Sequence, residues 1–129
     1  MERLIYTSTA IGNLAVGDIQ AIVAQSERNN AETGIGGFLI YAHDRFLQML
    51  EGPALLIEAL MKRIDADPRH DSLEIVLRET AKKAWFPDWD MKPLISFSGT
   101  PGLEELREEL AVKDPEGRVM AEIRSFLAA

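Results

Sequence analysis

The chain contains no cysteine, which removes at once a disulfide framework, a thiolate zinc site and a cysteine nucleophile, and fits a reducing compartment. Histidine is scarce, with two residues, in His43-Asp44 and His70-Asp71. Isolated His-Asp pairs lack the ligand spacing of a metal site, so a solvated turn is the plainer reading and no metal is expected. Basic residues are outnumbered, 14 Lys and Arg against 21 Asp and Glu, for a formal charge of −7. That balance argues against nucleic acid, whose phosphates demand clustered cations, and against a polybasic contact with anionic membrane. Long apolar runs are missing too: nothing approaches the ~18 residues of a membrane span, and Met1-Glu2-Arg3-Leu4 leads into a strand without an apolar leader. The expected location is cytoplasmic, and the expected partner a small molecule or a protein.

What is present suits a single soluble domain. With 129 residues, 47% of them hydrophobic and 27% charged, the chain can bury about two-thirds of its unfolded surface. Leu4 to Thr7 reads as a strand. From Asp18 to Asn30 the stripe of Ile19, Ile22, Val23 and Ser26 reads as a helix. Gly34-Ile35-Gly36-Gly37 resets the chain into a hairpin, with strands Phe38–Tyr41 and Phe46–Leu50 around a turn at His43-Asp44. Pro53 opens a second helix, striped by Leu56, Ile57, Leu60 and Ile64, that runs to Asp67-Pro68. Leu73–Thr80 is a further strand and Pro93–Phe97 a fifth. This order predicts an α+β, ferredoxin-like fold: a five-stranded mixed sheet with two helices on one face. After the Ser98–Gly102 loop come two short amphipathic stripes, Leu103, Leu106 and Leu110, then Val119, Met120, Ile123 and Phe126. They are expected to form a helical extension on the sheet's other face. The expected division is 1–98 as the main domain and 99–129 as a cap or output extension.

The most informative residue is Gln48, set in the greasy run Phe46-Leu47-Gln48-Met49-Leu50-Glu51-Gly52-Pro53. Strand alternation puts it on the face of Phe46 and Leu50, where a buried amide must be hydrogen-bonded or cost roughly 1–3 kcal/mol. Tyr6 in Leu4-Ile5-Tyr6-Thr7-Ser8, and Asn29 and Asn30 at the end of the first helix, pose the same demand. Gly34-Ile35-Gly36-Gly37 is no dinucleotide fingerprint, because its third glycine is absent and a strand, not a helix N-terminus, follows. The acidic residues contain no pair arranged for general acid and base. What remains is a gap between two helices, with Ser26, Asn29 and Asn30 on one wall, a four-apart Arg63 and Asp67 pair on the other, and Tyr6 and Gln48 as the floor. A flat heterocycle with an imide edge suits such a cleft. A plain structural domain, with Arg63 and Asp67 as a surface pair, also suits these residues.

The blocks Leu4-Ile5-Tyr6-Thr7-Ser8, Ser26-Glu27-Arg28-Asn29-Asn30, Gly34-Ile35-Gly36-Gly37, Phe46 to Pro53, Arg63-Ile64-Asp65-Ala66-Asp67-Pro68-Arg69-His70 and Phe86-Pro87-Asp88-Trp89-Asp90-Met91 occur in one order and spacing. In them residues 3–97 resemble the BLUF family of flavin-binding blue-light sensors. The resemblance implies a photosensor rather than an enzyme, with a noncovalent flavin between the two helices, usually FAD, with FMN or riboflavin as alternatives. It implies that Tyr6 donates an electron to the excited flavin and that Gln48 bridges the phenol and the ring. Asn30 would hold the ring's carbonyl and N3–H edge, Arg63 and Asp67 the opposite end and the ribityl chain, and Ser26, Asn29 and His70 would stand close by. Trp89 and Met91 match the segment that relays the signal. A stand-alone sensor of this kind implies an unidentified downstream protein, and assembly into a homodimer or higher homo-oligomer.

The sequence departs from the family pattern at Gly36, where threonine is usual, at Trp85, where arginine often stands, and at Lys92, where glycine is common. Trp85 or Trp89 would compete with Tyr6 as electron donor if either ring approached the flavin. Two readings from other classes are a flavin-dependent redox enzyme and a flavin-free ferredoxin-like regulatory module.

Overall fold

A computed structural model of the chain describes residues 1–12, 17–18, 20–22, 24–25, 28, 34–86 and 103–128, and the backbone of 90–95. The elements are strand β1 (Glu2–Ala10), helix α1 (described at 17, 18, 20–22, 24, 25 and 28), strands β2 (Gly36–Ala42) and β3 (Arg45–Gly52), helix α2 (Ala54–Asp65), strands β4 (His70–Thr80) and β5 (Asp90–Ile95), and helices α3 (Leu103–Lys113) and α4 (Arg118–Ala128). The fold is α+β. Its sheet runs β4-β1-β3-β2-β5; the first four strands pair antiparallel, and β5 lies parallel to β2. Among the described residues no helix is long and apolar enough to cross a membrane.

Period-two alternation sorts the strand residues into two cores. One face gathers Leu4, Tyr6, Leu39, Tyr41, Phe46 and Leu50 beneath Ile57 and Leu60 of α2. The other gathers Ile5, Phe38, Ile40, Leu47 and Met49 against Leu106 and Leu110 of α3 and Val119, Ile123 and Phe126 of α4. Each such side chain contributes about 1.5–3 kcal/mol by leaving water. The turn into α4 is held by the buried Asp114, whose carboxylate accepts the Val119 N–H at 2.8 Å, a cap for donors that the helix leaves unpaired.

The hairpin turn lies at His43 and Asp44, both at positive φ (53° and 60°), as a two-residue turn matched to strand twist requires. Three expected boundaries move. Helix α2 stops at Asp65, with Ala66 as its C-cap, because Pro68 disfavours helical backbone at Asp67. Strand β4 begins at His70 rather than Leu73, since β1 is long enough to pair with it as far as Ala10. Strand β5 begins at Asp90 rather than Pro93, because its parallel register with β2 starts at the Gly37–Asp90 pair; its expected end at Phe97 lies outside the described residues.

Strand β2 contains a glycine, Gly37, that no other residue can replace without strain. Its φ is +142°, and a Cβ there would sit 1.9 Å from the Met49 carbonyl oxygen of the neighbouring strand. Gly37→Ala is therefore expected to destabilise the protein by about 2 kcal/mol or more, read as a lowered midpoint of urea unfolding; an unchanged midpoint would contradict this backbone geometry.

Candidate functional site

Tyr6 and Gln48 are directly opposed across β1 and β3, and Leu39 of β2 flanks Gln48 on its other side. Tyr6 and Gln48 are 4% and 3% exposed, so neither polar group can rely on water. The Tyr6 hydroxyl donates a hydrogen bond to Gln48 Oε1, which answers the demand of a buried amide acceptor. Above them lies a cavity of about 230 Å³ between α1, α2 and the sheet. Leu39, Phe46, Ile22, Leu60 and Ile64 supply its apolar walls, while Tyr6, Gln48, Gln25, Arg63, Asp67, Arg69 and His70 supply its polar groups.

The far end of the cavity is organised by one ion pair. Arg69 Nε donates to Asp67 Oδ1 at 2.9 Å and Oδ2 at 3.0 Å, and the Arg69 backbone N–H donates to Oδ1 at 2.9 Å. These bonds hold the Asp67 carboxyl below its ordinary value and raise the Arg69 guanidinium. Arg69 Nη2 also donates to Gln25 Oε1 at 2.9 Å, tying α1 to the segment after α2. His70 Nε2 lies 2.7 Å from the Ile64 carbonyl oxygen; a carbonyl only accepts, so Nε2 carries the proton. Its ring centroid stands 6.5 Å from that of Tyr6 and 6.2 Å from that of Phe46.

Of the residues expected at the site, Tyr6, Gln48, Arg63, Asp67 and His70 meet around this cavity. The expected Arg63–Asp67 pair does not form: Asp67 lies beyond the helix end and takes Arg69 as its partner. Ser26, Asn29, Asn30 and Trp89 lie outside the described residues, and Met91 is described by its backbone alone, at the register shift between the Gly37–Asp90 and Phe38–Lys92 pairs. Arg69 and Gln25 went unnoticed as site residues in the sequence. Pro68, which ends the helix and turns Arg69 back, was the available signal. Trp85 is placed on the opposite face of the sheet, packed against the core beneath α3 and α4, with the Arg3 guanidinium carbon 3.4 Å from its ring centroid. Trp85 thus stands on the face of the sheet away from the cavity that Tyr6 and Gln48 line. Among the described residues no group of three His, Asp or Glu could hold a metal ion.

Apolar walls over a floor that carries a polar tyrosine–glutamine pair fit a planar heterocycle with a polar edge. Fold and cavity thus define a small α+β ligand-binding domain with a tyrosine–glutamine pair in its floor. The chain belongs to the BLUF family, described as sensors of blue-light using FAD, which matches residues 1–92. The domain that defines this family is a flavin-binding photosensor rather than an enzyme.

Among its relatives is the photoactivated adenylate cyclase subunit beta of Euglena longa, 30% identical over 114 residues, which are 86% of this chain and 13% of that protein. The blue light- and temperature-regulated antirepressor BluF of Escherichia coli (strain K12) is 31% identical over 81 residues, 63% of this chain and 20% of that protein. The chain thus spans only a small part of the length of these curated relatives. Among solved structures, the dark state of BlrB, a BLUF protein, superposes with a TM-score of 0.69 at 30% identity, covering 92% of this chain and 82% of that one. Klebsiella pneumoniae BlrP1 with FMN and cyclic diGMP superposes with a TM-score of 0.80 at 28% identity, covering 98% of this chain and 34% of that one.

Burial raises the Tyr6 phenol above its ordinary value, and the Asp67 carboxylate adds to the rise. The folded state therefore holds this proton more tightly than the unfolded chain does. Its contribution to stability is complete below the unfolded phenol value of about 10 and is lost as pH rises beyond it, with a slope of at most about 1.4 kcal/mol per pH unit. Tyr6→Phe should flatten the fall in the urea midpoint between about pH 9 and 11. Parallel slopes in wild type and variant would contradict this.

Proposed function

We infer that this domain senses blue light through the Tyr6–Gln48 hydrogen bond. The observation that carries this reading is the buried phenol donating to the amide oxygen at the floor of an apolar-walled cavity. A bound flavin supplies the absorption of blue light and, once excited, an oxidant able to take an electron from a nearby phenol. FAD is the flavin favoured by the family description, with FMN or riboflavin as alternatives. Ser26, Asn29, Asn30, Arg63, Asp67 and His70 are the residues assigned to hold it; Arg69 and Gln25 join them because they line the same cavity.

The protein's part in the switch follows from its own groups. Before excitation the phenol is neutral, since burial and Asp67 both oppose its ionisation. Loss of an electron makes the Tyr6 O–H strongly acidic, and its proton leaves along the existing bond toward Gln48 Oε1. Leu39, Phe46 and Leu60 line the same cavity and keep water from competing for that proton, so the short path is favoured. When electron and proton return, the Gln48 amide has rotated or tautomerised. An amide offers an acceptor at one end and donors at the other, so reversal changes every hydrogen bond it makes. The absorption of a heterocycle responds to hydrogen bonds at its edge, and the reversed amide is read out as a red shift. Trp89 and Met91 are assigned to relay the change outward.

In this reading residues 1–98 form the sensor and 99–129 its output extension, acting in the cytoplasm on a downstream protein or through a homo-oligomer interface, with no role for nucleic acid, membrane or metal. Absorption spectra in darkness, under blue light and during dark recovery test it. A reversible red shift in the wild type that is lost in Gln48→Leu is expected. A bound flavin whose bands do not move in the wild type would contradict it.

A further inference from the structure

Strand β3 carries a second buried polar residue, Glu51, three positions after Gln48 and therefore on the opposite face of the sheet. Its carboxylate is fully enclosed: Oε1 accepts from Arg3 Nε at 3.0 Å and from the Trp85 N–H at 2.9 Å, and Oε2 accepts from the Trp85 N–H at 3.0 Å and the Phe86 N–H at 3.1 Å. Arg3, itself 4% exposed, donates onward from Nη1 to Glu79 at 2.8 Å and from Nη2 to the Lys83 carbonyl at 3.3 Å, while the Trp85 ring covers its guanidinium. Helix α4 joins through Arg118 Nη1, 2.7 Å from Glu79. Helix α3 joins through Lys113, whose ammonium donates to the Trp85 carbonyl and lies 4.8 Å from the Phe86 ring centroid. One carboxylate on the switch strand thus grips two backbone N–H groups of the segment leading toward Trp89; α3 grips that segment in turn through Lys113, and α4 reaches the same network through Arg118 and Glu79.

We propose that Glu51 is a positioning residue that carries a Gln48 rearrangement through the sheet, by way of Arg3 and the Trp85–Phe86 backbone, to α3 and α4. A strand paired on both sides moves as a unit, so a shift at Gln48 displaces Glu51. A charge-assisted grip on two N–H groups passes that displacement on, whereas apolar contacts let the segment slide. This rests on the light-sensing reading above.

The test is hydrogen exchange of residues 103–128 in darkness and under blue light, on the flavin-loaded full chain, in wild type and Glu51→Gln. Glutamine keeps the shape but turns an NH2 group toward backbone donors, and Arg3 keeps Glu79, so the pair is loosened without stranding a cation. Expected are a light-minus-dark exchange difference in 103–128 of the wild type, and less than half of it in Glu51→Gln with the red shift preserved. A full difference in Glu51→Gln overturns the proposal, and so does exchange raised equally in dark and light, the mark of a merely structural role. Should Glu51→Gln not fold, Lys113→Met, which cuts the same route at its outer end, decides by the same criterion. A wild-type red shift without any exchange difference in 103–128 overturns this proposal alone. A wild type without a red shift removes the light-sensing reading and the proposal with it.

Discussion

The structure turns on one hydrogen bond between adjacent strands, from the Tyr6 phenol to the Gln48 amide. Both groups are cut off from water, so each depends on the other, and an unmet partner costs far more than a met one contributes. The antiparallel register that sets Tyr6 opposite Gln48 is held by the two apolar cores above and below the sheet. The packing around this pair can therefore be read as the means of keeping two polar groups face to face in a dry site. A dry site also makes the pair sensitive: when electrostatics are unscreened, turning one amide end for end is a large local change.

Alternation along β3 gives that change a route outward. Even-numbered positions Phe46, Gln48 and Leu50 face the α2 side of the sheet, and odd-numbered Leu47, Met49 and Glu51 face the core under the C-terminal helices. One strand thus serves two chemistries, a neutral amide on the ligand side and a paired charge on the other. The buried Arg3–Glu51 pair is weak evidence for stability, because desolvation offsets much of its attraction. Its geometry, with both oxygens engaged by backbone donors, speaks instead for holding a segment in place.

Much of this was legible in the sequence. The hairpin followed from alternation flanking His43-Asp44, and Gln48 stood out because its strand was otherwise apolar on the face it occupies. The C-terminal stripes of Leu106, Leu110, Ile123 and Phe126 are the positions that now meet the sheet. Less legible was anything set by chain direction after a break. Asp67 and Arg63 were read as a helical pair by their spacing of four, but the helix ends first, and Arg69, two positions on and bent back by the turn, reaches the carboxylate instead. The position of Trp85 was hidden for a similar reason. Periodicity does not say which face of a sheet a connecting segment crosses, and here the deciding contact is with Glu51, far away in sequence. The start of β5 depended on register with β2, which no local pattern encodes.

The account's central claim is that Gln48 itself changes its hydrogen bonding when the protein is lit. Light-minus-dark infrared difference spectra of protein carrying an isotope label on the glutamine side-chain carbonyls test this most directly, recorded on the wild type and on single Gln20 and Gln25 replacements that keep the red shift, so that bands present in all three belong to Gln48. A pair of isotope-sensitive carbonyl bands, one lost and one gained on illumination, is the predicted result. A flavin red shift accompanied by no isotope-sensitive band would show that the switch lies elsewhere in the cavity and contradict the account.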